Sequence, residues 1–425
     1  MGVVKYGTFC VFVKDMAVGD EGEIVVTALR KDYGYGRLLK LEKAGEGRCE
    51  PLCPISRQCG GCQLQHLTYE EQLRFKQGIV QNNIERIAGL DVGINPIIGA
   101  RKQYEYRNKC MLPCESKEGN TVIGFYRFNS HDIIPLEKCY LQSEEANSIV
   151  QDIRELSDHF GLSELIRHVM IRDMENSGQI MVVIVTWKDE TEGVHELTEK
   201  LIKKHPRIVS VIQNINGADT NVVLGKEERV LYGKDRITDE LMELTFSISS
   251  HSFYQVNSAQ TAVLYSEALR MAKLSKSDTV IDLYCGVGTI GMAASRQAGK
   301  VIGVEIVPSA VDNARENARI NNIDNIEFIC ADASQAAVQF VREGIKADVV
   351  FVDPPRKGCD TVTLQAIEAI GPRRLVYVSC NPATLARDLK YLDGHGYQVE
   401  EIQPVDQFAQ TYHVECVVSL SKKAE

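Results

Sequence analysis

The spacing of apolar positions changes its period along the chain. Up to about residue 48, short apolar or alternating runs at 9–13 and 23–28 flank Val18-Gly19-Asp20-Glu21-Gly22, a pattern that predicts strands joined by turns. A helical repeat then covers residues 69–88, with Leu73, Ile79, Val80, Ile84 and Ile87 as its apolar positions and Gly89 as its stop. Residues 92 to about 250 predict a strand-rich region. Its runs at 178–186 and 208–212 read as buried strands, and 192–205 as an amphipathic helix. From Ser275 onward strands at 279–283, 301–304, 326–329, 347–352 and 375–378 alternate with helical stretches, and a late strand covers 413–418. Strand and helix in alternation predict a doubly wound α/β sheet.

Composition narrows this picture. A chain of 425 residues is too long for one ordinary core, so two or three domains are expected. With 44% hydrophobic and 25% charged residues and no apolar run of membrane-spanning length, a soluble protein without a membrane partner is expected. The start, Met1-Gly2-Val3-Val4-Lys5, lacks the apolar core of a signal peptide. Thirteen cysteines, an odd number, then point to a reducing cytoplasm and to thiol or metal chemistry over disulfides. The net charge of -10 argues against bulk, sequence-blind binding of nucleic acid. A local basic groove remains open to RNA, through Arg101-Lys102, Arg107-Asn108-Lys109 or Arg373-Arg374. The stretch Arg30 to Arg37, with Tyr33, Gly34, Tyr35 and Gly36, mixes aromatics and base as single-strand surfaces do; a plain turn fits it equally well.

Cys53, Cys59 and Cys62 fall within ten residues, beside Gly60 and Gly61. Such a spacing reads as thiolate ligands to zinc or an iron–sulfur cluster, and a fourth ligand is required. Cys139 competes for that place with Cys49, Cys110 and Cys114.

Within the alternating region, the first strand runs into Asp282-Leu283-Tyr284-Cys285-Gly286-Val287-Gly288. Glycines there let backbone approach a nucleotide-like ligand, while the carboxylate of Asp282 disfavours a pyrophosphate. Glu305 ends the second strand, placed for ribose hydroxyls, and Asp332 follows the third, near where an adenine would lie. The three acids together point to S-adenosylmethionine rather than NAD. Asp353-Pro354-Pro355-Arg356 follows the fourth strand; its prolines stiffen the loop and aim Asp353 into the crevice. Arg356 stands where amino-group methyltransferases carry an aromatic, which counts against N-methylation. Cys380 closes the next strand before Pro382, a position where a thiol can act as a nucleophile. Glu415, at the edge of an apolar run, is either an edge-strand charge or a carboxylate of raised pKa suited to taking a proton.

Five motifs in order carry a family resemblance. They are Phe253-Tyr254-Gln255-Val256-Asn257, the Asp282 to Gly288 turn, Asp353 to Gly358, Ser379-Cys380-Asn381-Pro382 and His413-Val414-Glu415. Over nearly its whole length the chain resembles the S-adenosylmethionine-dependent RNA uracil-5-methyltransferases. The resemblance implies a Rossmann-like class I methyltransferase domain at 251–425, an iron–sulfur-binding and β-rich central domain at 51–250, and a partial TRAM/OB-like β region at 1–50 that begins about one strand late. It further implies Cys380 as nucleophile, Glu415 as base, and Gln255, Tyr284, Glu305, Asp332 and Asp353 around the cofactor. Phe253 and Asp353 would face the uracil. Cys53, Cys59, Cys62 and Cys139 resemble the [4Fe-4S] ligands of the branch that acts on large-subunit (23S) ribosomal RNA, and a monomer is expected. Transfer RNA as substrate, cytosine-5 methylation, and a non-catalytic iron–sulfur RNA-binding protein are the rival expectations.

Overall fold

The computed structural model describes residues 2–423. Strands β1 (Gly2–Tyr6), β2 (Phe9–Lys14), β3 (Glu21–Leu29) and β4 (Tyr33–Lys43) form a sheet in the order β1-β2-β4-β3. Its own core is small, built on Val11, Val13 and Met16. Helix α1 (Tyr69–Asn83) continues as a π-helical turn, Ile84–Ala88, and stops at Gly89, whose φ of 69° suits glycine.

A central sheet of seven strands follows. In chain order these are β5 (Lys109–Lys117), β6 (Asn120–Tyr126), β7 (Ile133–Pro135), β8 (Ile166–Asp173), β9 (Ile180–Thr186), β10 (Ile208–Ile215) and β11 (Glu227–Gly233). They are arranged β11-β10-β9-β8-β5-β6-β7, with α2 (Glu144–His159) and α3 (Glu192–Lys204) packed on one face. The hairpin β12 (Arg236–Leu241) and β13 (Leu244–Ser249) joins this sheet to the last region through Phe246 and Ile248.

The carboxyl-terminal region begins with α4 (Ser258–Ala272) and β14 (Thr279–Leu283), followed by α5 (Thr289–Ser295), β15 (Lys300–Glu305), α6 (Pro308–Ile320), β16 (Ile326–Cys330), α7 (Ala333–Glu343) and β17 (Val349–Val352). It ends with α8 (Thr361–Ile370), β18 (Arg374–Ser379), α9 (Pro382–Gly394), β19 (Tyr397–Val405) and β20 (Glu415–Lys422). The sheet order is β16-β15-β14-β17-β18-β20-β19, with β20 antiparallel to both neighbours. Helices cover both faces, so β17 and β18 are buried throughout, and 349–352 and 375–378 read as unbroken apolar runs. Among the described residues no helix is long and apolar enough to cross a membrane.

One expectation needs correction. The buried side of the helix after the cysteine motif is Gln72, Lys76, Val80, Ile84 and Ala88, whereas Ile87 is exposed. Residues 69–98 pack on the carboxyl-terminal region. Val80, Ile84 and Ala88 share a core with Leu385, Leu389 and Leu392 of α9, while Ile94 and Ile98 bridge to Ile402 and Val405 of β19. Periodicity reveals that a helix has a covered side, but not which element covers it.

Candidate active site

Strand register assembles the carboxyl edge of the sheet. Leu283 pairs with Val304 on one side and Val352 on the other, so the next residues, Tyr284, Glu305 and Asp353, lie abreast. Glu305 in turn pairs with Cys330, which brings Asp332 to the same edge. One oxygen of Glu305 accepts from the Gly286 amide at 3.1 Å and the other from Val307 at 2.9 Å. The acid therefore also shapes the glycine turn, where Gly286 has φ 55° and Gly288 φ 85°. Asp332 caps α7, accepting from the Ser334 amide at 3.0 Å. Tyr284 sits at φ 67°, unusual for a side chain of its size. Burial and the nearby Cys359 hold its hydroxyl protonated beyond the ordinary tyrosine range.

Asp282 lies one turn deeper. Its Oδ2 accepts from Gly291 at 2.9 Å, but Oδ1 is buried without a partner. Burial, then the charge of Asp353, pushes its carboxyl up to about 8, and burial lifts Asp353 to about 7. An orphaned carboxylate oxygen beside a row of acids fits a cationic ligand with ribose hydroxyls. These residues thus meet the demands of a sulfonium nucleoside.

The second half of the site is built by the antiparallel pairing of β18 and β20. Ser379 pairs with Cys416, and the next step of that register sets Cys380 beside Glu415. Cys380 stands between the end of β18 and Pro382, the first residue of α9, at the positive end of that helix. Asn381 caps α9 through the Ala383 amide at 3.1 Å and donates to the Arg356 carbonyl at 2.9 Å, tying the Asp353 loop to the cysteine loop. Burial, with Glu415 and Asp353 nearby, pushes the Cys380 thiol up to about 11, and Arg356 opposes the rise. Burial and Asp353 push Glu415 up to about 8, again opposed by Arg356. His413 lies 3.5 Å from the Arg356 guanidinium and is lowered to about 4, first by burial and then by Arg356, Lys76 and Arg107. Sequence reasoning weighed Arg356 only against N-methylation and gave His413 no role of its own. An arginine following Pro-Pro, in a loop that must meet a cysteine, was the available signal.

Gln255 lies on the loop before α4, its carbonyl held by Asn108 at 2.9 Å, and Phe253 is 71% exposed. Cys53, Cys59, Cys62 and Cys139 lie apart from this edge. Together with Cys110, Lys109 and Val256 they line a cavity of about 340 Å³. Burial raises all four thiols, Cys62 to about 12, with the other three cysteines adding to it. Among the described residues no three His, Cys, Asp or Glu side chains are gathered closely enough to hold one ion. The expected ligand set is brought round one cavity, but not onto a single point.

A sheet of this order, with acids at the ends of its first three strands, defines a Rossmann-like methyltransferase fold. The chain belongs to the tRNA (uracil-5-)-methyltransferase family, whose model matches residues 68–423. Relatives described as uncharacterized RNA methyltransferases from Bacillus cereus and Clostridium tetani are each 44% identical, covering 99% of this chain and 94% and 93% of their own. The Pyrococcus abyssi tRNA (uracil-54, C5)-methyltransferase, solved with S-adenosyl-L-homocysteine, superposes with a TM-score of 0.77 at 27% identity. The match covers 98% of this chain and 96% of that one.

Proposed function

We propose that this protein transfers a methyl group from S-adenosylmethionine to carbon 5 of a uridine in RNA, through a covalent bond between Cys380 and the base. The observation that carries this reading is the pairing of β18 with β20, which sets a thiol beside a buried carboxyl at the sheet edge. Carbon 5 of uracil is too weak a nucleophile to take a methyl group directly. Cys380, whose ionisation Arg356 assists against burial and the nearby acids, loses its proton to solvent and adds as thiolate to carbon 6, and the C5–C6 π electrons become an enolate. The cofactor supplies an electrophilic methyl on a sulfonium centre, which Asp282, Tyr284, Glu305, Asp332, Asp353 and Gln255 surround and orient. Once carbon 5 carries the methyl group, Glu415 in its carboxylate form takes the carbon 5 proton. The C5–C6 double bond re-forms and the C6–S bond breaks, returning Cys380 as thiolate. Phe253 offers an exposed ring for a base flipped from its stack, and Asp353 would read the uracil edge. Incubation with labelled cofactor and total RNA tests this directly: 5-methyluridine is expected, and 5-methylcytidine or no product refutes it.

The cysteine cavity supports a [4Fe-4S] cluster. A single tetrahedral ion needs its ligands within ~2.3 Å of one point. Each thiolate of a cubane binds a different iron, so thiols spread round a cavity suit it better. Cys53, Cys59, Cys62 and Cys139 would hold it, with Lys109 at the wall to offset its negative charge. The same four-cysteine set supports large-subunit (23S) ribosomal RNA as the substrate. Transfer RNA is the second reading, favoured by the substrate in the Pyrococcus abyssi enzyme's name. Mapping 5-methyluridine in both RNAs of a deletion strain separates the two.

A further inference from the structure

Residues 406–414 join β19 to β20 and end at Glu415, and this connection is packed unlike a surface loop. Asp406, Gln407, Ala409, Gln410 and Thr411 are all 2% exposed or less. Four distant segments grip it. From α1, the Gln72 side-chain amide donates to Gln410 Oε1 at 2.9 Å, and Gln72 Oε1 accepts from the Gln410 amide at 3.0 Å, across 338 positions of sequence. Also from α1, Lys76 donates to Asp406 Oδ1 at 2.6 Å and to the Phe408 carbonyl at 3.0 Å, with both charged side chains of the ion pair wholly buried. From the segment right after Cys62, the amides of Gln63 and Leu64 both donate to the Gln410 carbonyl at 3.0 Å. Tyr106 adds a bond to the Ala409 carbonyl at 2.9 Å, and Asn257 one to the Gln407 carbonyl at 3.0 Å.

Gln410 is the meeting point, and it is held at φ 71°, a conformation that costs any residue other than glycine. From it the chain reaches Glu415 through Thr411, whose hydroxyl accepts from the His413 amide at 3.3 Å. Burying a glutamine and a lysine on one helix face is expensive unless they are bonded; here nearly every bond ends on this one connection. We infer that the Gln72–Gln410 pair is a positioning latch. Through it, α1 and the segment following Cys62 fix the direction of Glu415 towards the adduct on Cys380. The inference rests on the uridine methylation reading above and deepens it.

Cys380 lies on the β18 side of the β18–β20 pairing, and neither of the Gln72–Gln410 hydrogen bonds ends on it. Releasing the latch therefore leaves addition to carbon 6 and methylation in place and slows removal of the carbon 5 proton, about ten- to hundredfold. The test uses Gln72→Leu and Gln410→Gly in the full chain. The glycine variant relieves the positive φ and removes the side-chain half of the latch while its backbone N–H stays, so it keeps the test alive if Gln72→Leu does not fold. Each variant and the parent are mixed with labelled cofactor and RNA, then followed by denaturing electrophoresis and by release of 5-methyluridine. The expected result is a methyl-bearing protein–RNA complex that builds up in the variants while its rate of formation matches the parent's. Equal slowing of formation and release, or parent-like turnover in Gln410→Gly, overturns the latch and leaves the methylation reading standing. A parent enzyme that yields no 5-methyluridine overturns that reading, and the latch with it.

Discussion

Replacing Glu415 by glutamine separates the stability of the site from its chemistry. The carboxyl titrates near pH 8 in place of its ordinary 4.5, first through burial and then through the charge of Asp353. Folded chains therefore hold a proton that unfolded chains have already lost between about pH 4.5 and 8, and stability falls as pH rises through that window. At ~1.4 kcal/mol per pH unit, keeping Glu415 ionised in the folded state costs roughly 3–6 kcal/mol above pH 8. The side chain is 5% exposed, so solvent does little to screen that cost. Glu415→Gln removes the charge and keeps the shape. Below pH 5 variant and parent should unfold at the same urea midpoint; by pH 9, without cofactor or RNA, the variant should be the more stable by several kcal/mol. Given RNA and labelled cofactor, the same variant should form the methylated adduct and fail to release it, for want of a base. Parallel pH–stability curves would show that Glu415 is not held protonated by its surroundings. Normal turnover would show that it is not the base.

Cys380→Ala should abolish both the RNA adduct and methyl transfer; an adduct that persists on denaturing gels would place the nucleophile elsewhere. Glu305→Ala should weaken S-adenosylmethionine binding by ~1–3 kcal/mol in calorimetry, through loss of ribose hydrogen bonds and release of the Gly286 turn. Unchanged affinity would mean that its role ends with the backbone. Anaerobically purified protein should be brown and contain iron and sulfide, whereas colourless protein with stoichiometric zinc would rule out the cluster. Lys76→Met should destabilise the fold by ~3–5 kcal/mol by leaving Asp406 buried without its cation, a loss read as a lower urea midpoint.

Much of the carboxyl-terminal region was legible because its signals are local. Strands buried on both faces must be apolar throughout, and an acid or cysteine where such a run stops can only lie at the sheet edge. Asp282, Glu305, Asp353 and Cys380 were therefore placed on strand ends from their neighbours alone. The four cysteines were legible as a set only through resemblance, since spacing left Cys139 level with three rivals.

Tertiary structure decided what no local signal encodes. Cys380 and Glu415 are 35 positions apart, and only the antiparallel insertion of β20 between β18 and β19 sets them side by side. The raised pKa values of Asp282, Asp353 and Glu415 arise from burial, with the charge of Asp353 adding to the other two, and both exist only once the three strand ends converge. Helix α1 shows the limit most clearly. Its amphipathic period marked a covered face, but that face carries Gln72 and Lys76, and both look like surface residues in the sequence. Their partners, Gln410 and Asp406, lie more than 300 positions away. A polar side chain declares itself buried only through the group that satisfies it, and that group is chosen by the fold.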